Sequence, residues 1–248
     1  MKKTFLLSCL MLAAMPVMAA YTGHVYVDKN KNGVFDQSEK PLAGIKVSDG
    51  LNVVETAADG SFTLPGHERE RFIFITTPSG YKTFNRHYHK IEKKQSGYDF
   101  GLIPYSGRIR KNGSHRYIHI ADTEIFNTEN HADWVNNVRD YARNEQAAFI
   151  IHTGDICYEK GLKAHIKLMN TENMDCPVFY CIGNHDLVKG KYGEELFESI
   201  YGPVYYSFDA GNVHYVVTPM PGGDHAPGYT SDDVCRWLKN DLAHIRPG

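Results

Sequence analysis

Residues 178–186 read VFYCIGNHD. Five apolar or aromatic residues in a row predict a buried strand. The run then stops on Gly183 and on Asn184, His185 and Asp186, three side chains that can bind a metal or move a proton. Two earlier stretches end in a similar way: RYIHIAD on Asp122, and AFIIHTGD on Asp155. Asp122 and Asp155 are 33 residues apart, and Asp155 and Asn184 are 29 apart. A strand-helix-strand crossover occupies about 30 residues. The intervening and following segments carry helical period, with Trp134, Val138, Tyr141 and Ala142 on one face, then Leu196, Phe197, Ile200 and Tyr201, then Val234, Trp237, Leu238, Leu242 and Ile245. Strands alternating with helices predict a largely parallel sheet, an α/β fold, with its carboxyl-end loops along one edge, where open sheets bind ligands. Asp122, Asp155 and Asn184 are therefore expected to meet.

Carboxylates gathered on one edge repel unless protons or cations compensate. Two divalent ions about 3.5–4 Å apart can share a bridging carboxylate, activate a water and stabilise an in-line displacement at phosphorus. Asp155, the middle of the three, is the natural bridge, and Gly154 and Gly183 allow the backbone to turn sharply beside it. A lone Gly-Asp after a strand is ordinarily a turn and nothing more. Three polar endings in order, the last of them GNHD, are a much more specific signal.

At these residues, from about 115 to 248, the sequence resembles the calcineurin-like metallophosphoesterase superfamily, whose signature runs D-x-H, GD, GNH(D/E), a lone His, then GHxH. The resemblance implies a two-layered α/β sandwich and a dinuclear centre of Mn, Fe, Zn or Mg. It implies that Asp122 holds the first metal, Asp155 bridges both and Asn184 holds the second. His185 would contact the phosphoryl group or protonate the leaving oxygen, with Asp186 orienting its ring. An imidazole held by a carboxylate is a tunable acid near neutral pH. Two departures stand out. Glu124 occupies the place of the family's first histidine, as a hard oxygen donor or a supporting residue, and the sequence reaches Gly248 before any GHxH. The expectation is thus the front half of such a domain, with weak or no activity for this chain. Among the other histidines, His214 reads as packed in a strand, His119 and His152 as hydrogen-bonded strand residues, and His225 as the flexible alternative ligand.

Residues 21–105 read differently, as short β-branched and aromatic runs separated by turn residues such as Asp49-Gly50 and Asp59-Gly60. This predicts a separate all-β sandwich, joined to the second domain (106–248) by SGRIRKNGS. Within it, DKNKNGVFDQSE (28–39) matches the calcium-loop pattern, with side-chain oxygens from Asp28, Asn30, Asn32, Asp36 and Glu39, the Val34 carbonyl, and Gly33 at the sharp turn. A strand precedes it and Pro41 follows, so it is not an EF-hand pair; a structural calcium that fixes the loop is expected. Together with GIKVSDG and TAADGSFTLP, the segment resembles the N-terminal β-sandwich of secreted calcineurin-like phosphoesterases.

Residues 1–20, MKKTFLLSCLMLAAMPVMAA, have the basic start, short apolar stretch and small-residue end of an export signal, with cleavage expected near Ala19 or Ala20. A periplasmic or secreted protein with no membrane span after cleavage is expected. Cys157, Cys176, Cys181 and Cys235 then allow three pairings or four free thiols. With 27 basic and 29 acidic residues and a net charge of -2, the chain has no electrostatic footprint for nucleic acid. The leading reading is an exported phosphoesterase that hydrolyses phosphate mono- or diesters by a metal-activated water. The rival is a non-catalytic secreted binding or scaffold protein with a degenerate phosphoesterase domain, favoured by Glu124 and the missing ligands.

Overall fold

A computed structural model describes residues 20–95, 97–106 and 108–245. The expected export signal lies outside the described residues except for Ala20, which opens the first strand.

The N-terminal strands are β1 (Ala20–Val27), β2 (Lys40–Pro41), β3 (Lys46–Ser48), β4 (Val53–Glu55) and β5 (Ser61–Pro65), then β6 (Phe72–Ile75), β7 (Tyr81–Thr83), β8 (Tyr88–Lys90) and β9 (Phe100–Pro104). They form two sheets. One runs β2-β1-β9-β7 with β5 also paired to β1, and the other runs β4-β3-β6-β8. A core drawn from both sheets, including Val25, Leu64, Phe100 and Leu102 from the first and Val47, Ile73 and Ile75 from the second, lies between them. This is the expected sandwich.

The second unit begins with β10 (Tyr117–Ile120), α1 (Ala132–Asn144), β11 (Phe149–His152), α2 (Tyr158–Leu168) and β12 (Val178–Tyr180). It continues with α3 (Glu195–Tyr201), the antiparallel hairpin β13 (Tyr206–Ala210) and β14 (Val213–Val217), and α4 (Ser231–Leu242). The first three of these strands are parallel in the order β10-β11-β12, with Ile120 opposite His152 and His152 opposite Tyr180. Their carboxyl ends are therefore level, and the loops that follow share one edge. One layer of core, with Val135, Ala142, Ala164 and Val178, packs helices on this sheet. A second, with Leu162, Ile182, Phe197 and Tyr201, sits under the loop tips.

Two of the predicted helix faces are rotated. In α1 the buried residues are Val135 and Ala142, while Trp134 and Tyr141 are 41% and 60% exposed. The fully buried Ala142 lets the helix lie close to the sheet, which leaves no room for an aromatic ring on that face. In α4, Trp237 is buried as expected, but Leu242 is 49% exposed and Asp241 is buried instead. Asp241 faces inward because it accepts hydrogen bonds from His214 Nε2 (2.7 Å) and Ser207 Oγ (2.9 Å). Among the described residues Cys157, Cys176, Cys181 and Cys235 are all unpaired.

The sandwich is not an appendage. β6 is buried at all four positions: Ile73 and Ile75 enter the sandwich core, while Phe72 and Phe74 join Phe149, Phe179, Phe208 and Trp237 in a core shared with the second unit. Thr77 forms a parallel bridge to Phe208, and the Thr76 and Ser207 hydroxyls lie 2.8 Å apart.

Candidate active site

The loop tips leave their strands in strained backbone. Asp122, Glu124, Asp155, Cys157 and Tyr158 have φ of 53°, 44°, 53°, 77° and 53°. Side chains rarely adopt this region, and such strain concentrates at functional sites. Neighbouring tips hold one another. The Asp122 N–H donates to the Gly154 carbonyl (3.1 Å), and the Thr153 N–H donates to the Ile120 carbonyl (2.9 Å). Buried His152 ties the first two tips together: its Nδ1 accepts the Gly154 N–H (3.2 Å), so its Nε2–H donates to Thr123 Oγ1 (2.9 Å). Burial, helped by the charge of His119, lowers its pKa to about 4, which keeps the ring neutral for this task.

The third tip packs on the second. A Cβ on Gly183 would fall 2.2 Å from both the amide nitrogen and Oδ1 of Asp155, and the His185 N–H donates to Asp155 Oδ1 (3.1 Å). Asn184, His185 and Asp186 form a single 3-10 turn. Asp186 closes that turn from below: its Oδ2 accepts the Gly183 N–H (2.9 Å) and its Oδ1 accepts the Cys157 N–H (2.8 Å). Asp186 is fully buried. Burial raises its pKa, against the backbone hydrogen bonds that lower it.

Asp186 therefore does not orient the His185 ring, contrary to what the family resemblance implied. The carboxylate that does so is Asp224, whose Oδ2 lies 2.9 Å from His185 Nδ1. This hydrogen bond raises the His185 pKa, outweighing desolvation. The loop carrying Asp224 is fastened over the site: its N–H donates to the Asn184 carbonyl (3.1 Å), and a Cβ on Gly223 would meet that carbonyl oxygen at 2.4 Å. The Tyr158 ring stands 5.6 Å from the imidazole. Asp224 sits in PGGDHAPG, which carries no strand-end pattern, so nothing in the sequence singled it out; His225, the alternative considered there, is its neighbour.

The donor types suit divalent cations, but the expected meeting is not closed: among the described residues Asp122, Glu124 and Asp155 do not bring one carboxylate oxygen each within 4.8 Å of one another. Asp122 is exposed, and Asp155 and Asn184 are half-buried. Among the described residues no hydrogen bond or ion pair reaches the side chains of Asp122 or Asn184, and Glu124 has one weak partner, the Cys157 thiol at 3.8 Å. Burial and the nearby carboxylates push that thiol up to about 12, so it is protonated at neutral pH. Hard oxygen acceptors of this kind are what Mn, Mg or Fe prefer.

Among the described residues, one trio of acidic or imidazole side chains does close to within 4.8 Å, but it lies elsewhere: Asp49, His67 and Glu70, in the sandwich. Protons already serve this corner. Asp49 accepts from the Leu51 and Asn52 N–H groups, and Glu70 accepts from the Tyr21 hydroxyl and the His67 N–H. The Arg69 N–H points at His67 Nδ1 (3.2 Å), which leaves the ring proton on Nε2, facing Asp49. A metal there would have to displace that proton.

The predicted calcium loop is folded on itself. Asp28 Oδ1 and Oδ2 accept the Asn32 and Gly33 N–H groups (3.2 and 2.9 Å), and Glu39 accepts from Lys29 N–H (2.8 Å) and Asp36 N–H (3.2 Å). The side-chain amides of Asn30 and Asn32 donate to Asp36 Oδ2 (2.7 and 3.1 Å).

A parallel sheet whose carboxyl edge gathers oxygen donors beside a carboxylate-held imidazole is the architecture of a metal-dependent phosphoester hydrolase. Residues 29–104 match the N-terminal domain of calcineurin-like phosphoesterases, and residues 115–240 match the calcineurin-like phosphoesterase domain. The chain belongs to the calcineurin-like phosphoesterase family. Membership implies divalent metal cofactors and phosphate-ester substrates. Compared with curated proteins, the chain finds no match. No helix among the described residues is long and apolar enough to cross a membrane.

Proposed function

We propose that this protein is an exported phosphoesterase that hydrolyses phosphate mono- or diesters at the edge formed by Asp122, Asp155 and Asn184. The observation that supports this reading is the Gly183 contact, which seats the GNHD turn on Asp155, with the His185 ring held by Asp224. Asp122, with Glu124, would hold one divalent ion, Asp155 would bridge, and Asn184 would hold the second. The bound pair would supply Lewis acidity toward a phosphoryl oxygen and a water of lowered pKa.

The chain's own residues do the rest. His152 and Thr123 fix the first donor loop. Asp186 fixes the second tip against the third through two backbone N–H groups. Protonated His185, held by Asp224, donates its Nε2 proton to the leaving oxygen.

Turnover of p-nitrophenyl phosphate and bis-p-nitrophenyl phosphate with added Mn tests this reading. Asn184→Ala and His185→Ala are each expected to lower kcat by about 10²–10⁴-fold, and full turnover in both would refute the roles given. Mass measurement of the protein recovered outside the cytoplasm, expected to begin near Ala20 or Tyr21, tests export.

The 28–39 loop is read as a structural calcium site. Asp28 and Glu39 are nearly fully buried carboxylates, and an ion would compete with the N–H groups that Asp28, Asn30, Asn32 and Glu39 now accept.

A further inference from the structure

We propose that the cleft between the sandwich and the phosphoesterase unit is a second binding site, for an anion carrying a flat apolar body, such as a nucleoside phosphate. The cleft has a volume of about 720 Å³ and runs between the β7–β8 region and the amino-terminal end of β12. The catalytic donors follow the carboxyl end of the same sheet, so the two sites are separate. Small-molecule sites commonly measure about 300–1,000 Å³.

Its floor is apolar and aromatic, with Tyr88, Val178, Phe179 and Tyr201 all buried. Its rim is cationic. Lys31, Lys82 and Arg86 line it against one carboxylate, Glu172. Among the described residues none of these three cations has a carboxylate at ion-pair distance, whereas Arg69, Arg71, Arg108 and Arg236 each hold one. Lys82 instead lies over the Tyr105 ring (5.3 Å), and Arg86 lies over Tyr88 (5.4 Å) with Nη1 on its hydroxyl (2.9 Å). These contacts position the charges without neutralising them.

His87 adds a second, independent sign. It lines the cleft, and its buried Nε2 has no hydrogen-bond partner. Buried polar atoms are rarely left so. Burial, with Arg86 beside it, lowers its pKa to about 3, so the ring stays neutral in the cleft wall. An aromatic floor, three uncompensated cations and an orphaned imidazole together suit a stacked ring with a phosphate at its edge.

Titrating the full chain with the fluorescent nucleotide mant-ADP, in the presence of EDTA, tests this. Saturable binding is expected, unchanged by Asn184→Ala, weakened at least tenfold by Lys82→Glu with Arg86→Glu, and weakened by salt. Mant-adenosine, which lacks phosphate, is expected to bind at least tenfold more weakly. Circular dichroism checks the double variant; if it does not fold, Lys82→Gln with Arg86→Gln decides, with a threefold or greater loss expected. Absence of saturable binding, equal affinity in the charge variants, or equal affinity for mant-adenosine would overturn the site. Loss of binding in Asn184→Ala would do the same, by placing the nucleotide in the catalytic edge.

Discussion

His185 depends on a residue 39 positions away for its protonation. The Asp224 carboxylate raises the imidazole pKa, so the acid form persists to higher pH than in a free histidine. Asp224→Asn removes that charge. The pKa falls, and the fraction of His185 able to donate a proton declines at a lower pH than in the parent. A kcat reduced about 10–100-fold, with the alkaline limb of the pH profile moved to lower pH, is the expected outcome of steady-state kinetics across pH 5–9. A variant with an unmoved limb would show that Asp224 has no part in setting the proton. The residues that sequence exposed are those whose chemistry sits at the end of a regular element: Asp122, Asp155 and Asn184 each terminate an apolar run, and a strand has only one such end. Asp224 was hidden because its role arises from a long-range contact made by an irregular loop, and no periodicity marks such a residue. Asp186 misled for the converse reason, since adjacency to His185 in sequence placed it beneath the turn and away from the ring.

Elements show the same division. The parallel run of three strands with its shared carboxyl edge followed from crossover spacing, whereas the inward faces of α1 and α4 did not, because local hydropathy cannot weigh a close-packed Ala142 or a buried Asp241 against a neighbouring aromatic or leucine. The helix α4 and the hairpin β13–β14 are joined through His214, which bonds Asp209 by Nδ1 (2.6 Å) and Asp241 by Nε2 (2.7 Å). Burial alone would lower its pKa, but the two carboxylates outweigh it and raise the value to about 9. The folded-state value is above that of the unfolded chain, so this stabilisation is complete below about pH 6.5 and is lost as pH rises through about 9. Thermal unfolding is expected to show a Tm that declines between pH 7 and 10, and His214→Leu should flatten that decline while costing about 3 kcal/mol through the stranded Asp241. The 28–39 loop makes its own prediction. Millimolar calcium should raise Tm by about 2–4 °C, as expected for a gain of about 1 kcal/mol, and Glu39→Gln should abolish the rise; equal Tm with calcium and with EDTA would remove the ion from the account.

Across the whole molecule the two units are bound by charge as well as by packing. Arg71, from the sandwich, places Nη2 2.9 Å from Glu194 and 2.8 Å from Glu198 in the second unit, and the Glu194 side chain has no exposed surface. Burial raises Glu198 to about 7 in spite of Arg71. The pair of glutamates therefore relies on one guanidinium, and Arg71→Leu is expected to cost about 3–5 kcal/mol, read as a lower denaturation midpoint in urea with both units still unfolding together. Two separated transitions in the parent would contradict that coupling.

The strand β6 carries one further consequence. With Ile73 and Ile75 on one side and Phe72 and Phe74 on the other, it serves simultaneously as lining for two interiors. Any recombinant piece that begins after the sandwich would bare Phe179, Phe208 and Trp237 to solvent and invite precipitation, so an enzymologist seeking a minimal soluble catalyst should keep the leading strands attached.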